Sequence, residues 1–149
     1  MTKDVLIRIK GMQMSLENKS QEEIETIAPA QYYEKNGSHY VLFEDIQEGE
    51  TETTKNILKF KDDYVELTKK GYINTQMVFE TQKRNLSSYA TPFGNLMIGL
   101  DTNKVDIKED EDSIDLTVDY AMDINAEHLA DCRIEIRLQT KDQPGVLMS

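Results

Sequence analysis

The residues in this chain with chemistry to offer are two histidines, one cysteine, seven tyrosines and a row of aspartates. His39 and His128 stand far apart, and neither sits at metal-ligand spacing or beside a nucleophile motif. Each reads as a solvated or internally satisfied imidazole. Cys132 alternates with Ile134 and Ile136, which marks a small buried hydrophobe rather than an activated thiol. Asp115, Asp119 and Asp123 form a carboxylate row, but Arg133, Arg137 and Lys141 on a following strand neutralise such a row more simply than a metal would. The run Glu109-Asp110-Glu111-Asp112 lacks the glycine and the terminal glutamate of a calcium loop and reads as a solvated turn. There is no Gly-x-Ser-x-Gly elbow, no glycine-rich phosphate loop and no Cys-x-x-Cys pair, so no enzyme motif is spelled out.

Tyrosine carries more. The chain has Tyr32, Tyr33, Tyr40, Tyr64, Tyr72, Tyr89 and Tyr120 and no tryptophan. Several tyrosines turned into one interior would give an apolar cavity with a few convergent hydroxyls, the usual make-up of a small-ligand pocket. The stretch Ser87 to Leu96 concentrates this chemistry. Tyr89, Thr91 and Phe93 are the expected pocket mouth, with Tyr120 and Tyr40 lining it. The same stretch also reads as a corner: Pro92 fixes its own φ and holds Thr91 extended, and Gly94 allows a backbone conformation closed to other residues.

These side chains need strands to hold them. Turn signals recur at short intervals, and between them lie segments rich in Ile, Val, Thr, Tyr and Phe, the pattern of an all-β sandwich or barrel. Asn36-Gly37 predicts a type I′ hairpin turn, because both residues tolerate positive φ. Ile114, Leu116, Val118, Tyr120, Met122 and Ile124 alternate with polar residues, as do Cys132, Ile134, Ile136 and Leu138. Two half-buried strands follow. Matching opposite charges pairs Asp123 with Arg133, Asp119 with Arg137 and Asp115 with Lys141, which puts the hairpin tip near His128. Ser20-Gln21-Glu22-Glu23 matches a helix capping box, but Pro29 and Tyr32-Tyr33 favour a strand entered through a turn. Short connections then predict one domain, residues 1–149, built as an up-and-down meander of about 8–10 strands closed into a barrel, since closure removes exposed edges.

Bulk composition narrows the partners. At 149 residues the chain can bury about two-thirds of its unfolded surface without a metal or disulfide. A formal net charge of −11 repels phosphate backbones and anionic lipid, so neither nucleic acid nor membrane is an expected partner. The best candidate for a local basic patch, Lys83-Arg84, has only two residues and no aromatic ladder beside it. A single cysteine and a polar start at Met1-Thr2-Lys3-Asp4 point to a reducing cytoplasm. No cofactor is called for.

Several stretches together resemble the YwiB-like family of small bacterial proteins. They are Tyr89-Ala90-Thr91-Pro92-Phe93-Gly94 with the apolar run after it, the start Val5-Leu6-Ile7-Arg8-Ile9-Lys10-Gly11, the tyrosine-rich hairpin at Asn36-Gly37, and the alternating strand from Asp115 to Asp123 with its basic return. The resemblance implies a calycin-like β-barrel, the architecture of lipocalins and fatty-acid-binding proteins, and brings no catalytic or binding residues with it. Three functions follow in order of preference. The first is a non-enzymatic barrel that binds a small, partly apolar molecule inside. The second is an interaction module, a homodimer through the face of Leu6, Met12 and Met14. The third is an enzyme that acts on a bound metabolite through tyrosine, His39 or Arg84.

Overall fold

The computed structural model describes residues 3–15, 21–46, 53–71, 74–91 and 94–141. Every regular element among them is a strand: β1 (Asp4–Ser15), β2 (Gln21–Lys35), β3 (Ser38–Ile46), β4 (Thr53–Lys61), β5 (Tyr64–Lys70), β6 (Thr75–Glu80), β7 (Lys83–Thr91), β8 (Gly94–Glu109), β9 (Ser113–Ile124) and β10 (Glu127–Thr140). All ladders are antiparallel, in the order β6-β5-β4-β3-β2-β1-β10-β9-β8-β7. This is the expected all-β meander, rolled until its two edge strands meet. The segment after Ser20 is strand and not helix.

Alternation decides what lies inside. Val5 and Ile7, Val41 and Phe43, Leu58 and Phe60, Val65 and Leu67, and the even-numbered residues of β9 and, from Ala130 on, of β10 fill the lumen. The first and last strands of the barrel close it with eleven residue pairs, Val5–Thr140 to Ser15–Ala130. The opposite seam is thinner. Between β6 and β7 the described residues show one bridge, Asn74–Ala90, reinforced where the Ser87 hydroxyl donates to the Gln76 carbonyl at 2.6 Å. The Gln82 amide leaves its own hairpin and donates to the Thr102 carbonyl of β8 at 2.9 Å, which turns the corner.

A third seam parts midway. β2 and β3 pair over only five residues, from Lys35–Ser38 to Gln31–Leu42, although both strands continue. Pro29 gives the reason. The Tyr32 amide donates to the Lys3 carbonyl on the β1 side at 2.8 Å, and successive N–H groups of a strand point to alternate sides. The nitrogen of Pro29 therefore faces β3, opposite Glu44, and has no proton to give. The ladder ends there.

Turns bear out one expectation and correct another. Asn36 and Gly37 have φ of 53° and 80°, as a type I′ turn requires. The β9–β10 hairpin turns at Asn125-Ala126, φ 51° and 69°, and not near His128. The ladder is displaced by one charge repeat from the expected pairing: Asp119 faces Arg133 and Asp115 faces Arg137, bonded at 2.6 and 2.7 Å. Charge matching is satisfied in both registers, so the turn decides between them. Asp123 is thereby released to Arg84 of β7, whose second nitrogen holds it at 3.1 Å. The guanidinium lies flat over Gly99, where a Cβ would stand 2.4 Å from Arg84 Nη2, so only glycine leaves room for the pair.

Candidate functional site

At one end of the barrel β1, β3, β5, β7 and β9 finish. Tyr89 enters the lumen there, half-buried against the core, and burial raises its hydroxyl pKa. Tyr120 lies deeper, with its ring 4.8 Å from that of Phe79 and its hydroxyl against Cys132. Burial pushes that hydroxyl far above the usual tyrosine range, and the thiol beside it is raised as well. Cys132 is a buried free thiol within an apolar face, as its spacing predicts. Thr91 ends β7 opposite Gly94, and the Phe93 expectation lies outside the described residues. Gly94 has a φ of 126°, in line with the corner reading of this stretch.

Tyr40 must be corrected. Its neighbours His39 and Val41 point inward, so Tyr40 points out, where it stacks on Tyr33 with ring centroids 5.1 Å apart and Lys59 above its ring. It does not meet Tyr89 or Tyr120, and no lumen site includes it.

One polar group in the lumen escaped sequence reading. Lys69 Nζ donates to Asn56 Oδ1 at 3.0 Å, and Asn56 Nδ2 donates to Asp45 Oδ1 at 2.9 Å and to the Thr54 carbonyl at 3.2 Å. Asn56 is 1% exposed. Burial lowers the Lys69 ammonium pKa while Asp45 opposes the shift. The signal was available, because Asn56 shares a face with Leu58 and Phe60, and Lys69 with Val65 and Leu67. These groups satisfy one another, which is what a polar cluster in an apolar lumen must do.

Space is distributed differently from expectation. A gap of about 110 Å³ is lined by Gly11, Ile24, Tyr120, Cys132 and Ile134, with Met12 and Arg133 at its edge. A larger concavity opens in the wall where β2 and β3 part. It measures about 720 Å³, with the exposed Pro29, Leu42 and Ile57 and the buried Ala30, Phe43 and Asn56 along it and Asp4, Gln31, Glu44, Lys55 and Lys141 around them. Leu42 and Ile57 are paired across β3 and β4 and remain 37% and 38% exposed. The expected self-association face is less continuous. Between Leu6 and Met12, Arg8 and Lys10 pair with Glu25 and Glu23 at 2.7 and 3.6 Å. Likewise Arg84 is committed to Asp101 and Asp123, and Lys83 to Glu80, so this basic pair is internally neutralised.

Comparison with known proteins places this architecture. The profile of a domain of unknown function, DUF1934, matches residues 7–136. The crystal structure of ywiB protein from Bacillus subtilis superposes with a TM-score of 0.74 over 93% of each chain, at 21% sequence identity. No curated protein matches in sequence.

Proposed function

This chain belongs to the DUF1934 family, and we propose that it is a non-enzymatic binding barrel whose ligand, a small and partly apolar molecule, lies in the cleft between β2 and β3. The observation that carries this reading is the 720 Å³ concavity opened where Pro29 ends the β2–β3 ladder. Its volume falls within the roughly 300–1,000 Å³ of small-molecule sites. Leu42 and Ile57 offer a dry surface, Glu44, Lys55 and Lys141 offer charged anchors of both signs, and the strand edges beyond Gln31 offer backbone groups with no β2–β3 partner. The gap of about 110 Å³ beside Tyr120 and Cys132 has room for only a few heavy atoms.

Native mass spectrometry of the protein purified from its own host, followed by analysis of released small molecules, tests for a resident ligand. Titration with 8-anilinonaphthalene-1-sulfonate, an anionic amphiphile, tests the place. Leu42→Glu should weaken dye binding about tenfold, the loss of one good apolar contact, while Leu96→Glu, an exposed leucine elsewhere, should leave it unchanged. Binding that survives Leu42→Glu and falls with Tyr89→Ala would put the ligand at the barrel mouth and overturn the reading.

A further inference from the structure

The other end of the barrel, closed by tight hairpins, holds a second constellation. His39 points inward from β3, and its imidazole is clasped between the Tyr32 ring at 5.8 Å and the Phe60 ring at 4.6 Å, nearly parallel to the latter at 12°. The Tyr32 hydroxyl and His39 Nδ1 share a 2.6 Å hydrogen bond. Glu34 is the register partner of His39 on β2. Glu109 ends β8, which lies five strands away from β3 in the ten-strand order and so on the opposite wall. Its Oε2 nonetheless comes to 4.0 Å from His39 Nε2. One ligand atom from each of Glu34, His39 and Glu109 lies within 4.8 Å of the other two.

We propose that Glu34, His39 and Glu109 form a divalent-metal site of the zinc class, which ties the β2–β3 hairpin to the far wall of the barrel. Three features separate this site from carboxylates that merely share a surface. The imidazole is fixed in place by two rings, with only 12% of its side chain exposed. Its Nδ1 is held by a partner, the arrangement that aims the other nitrogen of a metal-ligating histidine. When Nδ1–H donates to the phenol oxygen, the Nε2 lone pair faces Glu109. Finally, two carboxylates from opposite walls converge on the same imidazole, and a cation relieves their mutual repulsion.

The donor set selects the metal. One nitrogen and two carboxylate oxygens suit Zn²⁺, and water completes the tetrahedron, whereas Ca²⁺ and Mg²⁺ prefer all-oxygen shells. Bonds of about 2.1 Å require ligand atoms about 3.4 Å apart. Closing the present separations, 4.0 Å between Glu109 and His39 and up to 4.8 Å within the trio, takes side-chain rotations at the exposed Glu34 and Glu109.

Tag-free protein titrated with Zn²⁺ alone, and with Co²⁺ as a visible-spectrum reporter, decides the matter. One equivalent should bind and raise the melting temperature, since the ion bridges two walls only in the folded state. His39→Gln should weaken binding by about 100-fold, and Glu109→Gln and Tyr32→Phe by about tenfold each. His128→Gln, at an exposed imidazole beside Asp131, should change nothing. Because Glu109 is an exposed side chain, its variant tests the site even where His39→Gln folds poorly. Failure to bind below ~1 mM Zn²⁺, or binding untouched by Glu109→Gln and by His39→Gln, would overturn the proposal.

Discussion

The seam between β1 and β10 joins strands from opposite ends of the chain and runs for eleven pairs, whereas the seam between β2 and β3 joins sequence neighbours and stops after five. Proximity in sequence therefore does not set the strength of a seam. The β1–β10 ladder has an N–H at every position and an apolar interior, with Ile7 opposite Leu138 and both fully buried. The β2–β3 ladder reaches a proline facing its partner and comes apart, and Leu42 of β3 with its β4 neighbour Ile57 stays partly in water. One seam is continuous, and the other is open over part of its length.

Equal truncations should separate the two most sharply. Leu138→Ala removes a fully buried side chain and should cost about 3 kcal/mol in urea denaturation. Leu42→Ala, at the cleft, should cost less than about 1 kcal/mol. Similar losses at both sites would erase the distinction.

Acid should act on the outer ion pairs that brace the β7–β10 half of the barrel. Arg84 holds Asp123, and Arg133 holds Asp119, below the usual carboxylate range. Folding lowers these pKa values, so the stabilisation is complete above the unfolded value of about 3.9 and is lost as pH falls through the folded ones. Urea midpoints measured from pH 7 down to about 2.5 should fall below pH 4, and less steeply in Asp123→Asn. An unchanged slope in that variant would show that the pair contributes nothing.

The smallest effects test the backbone. Ala126→Gly relieves an alanine held at φ 69° and should stabilise by about 0.5–1 kcal/mol, read as a rise in melting temperature. Pro29→Val restores an N–H opposite Glu44. It should gain about 1 kcal/mol or less, give a new amide there that is protected from exchange, and narrow the cleft, weakening dye binding. A new amide that exchanges at the unprotected rate would mean that something other than the missing proton keeps the strands apart.

Much of this was legible before any coordinates. Alternation in β9 and β10, the Asn36-Gly37 turn and the spacing of turn signals are local properties, and they suffice for an all-β meander. Register was not legible, because a charge ladder repeating every four residues is satisfied again after one repeat, and an alanine at positive φ gives no turn signal. The outward face of Tyr40 was written in its alternation with His39 and Val41. Its aromatic ring argued for a pocket, and parity prevailed. Lys69 and Asn56 were readable as polar residues in apolar faces. The convergence of Glu109 on His39 was not, since only closure of the barrel brings opposite walls together. Pro29 announced a broken ladder without saying which neighbour it faced.

The strand order has a further consequence. Read from β7 onward, the barrel runs β7, β8, β9, β10, β1 and so on to β6, each strand beside the next. The gene order is thus a cyclic rotation of a plain meander. The two ends of the described chain already touch, with the Lys141 amide donating to the Asp4 carbonyl at 3.4 Å. A circular permutant joined there and opened at Thr81-Gln82 would turn the most distant contacts of the molecule, those of β1 with β10, into a hairpin. It should keep the same barrel and reach it faster, because local closure costs less chain entropy than closure across the whole sequence.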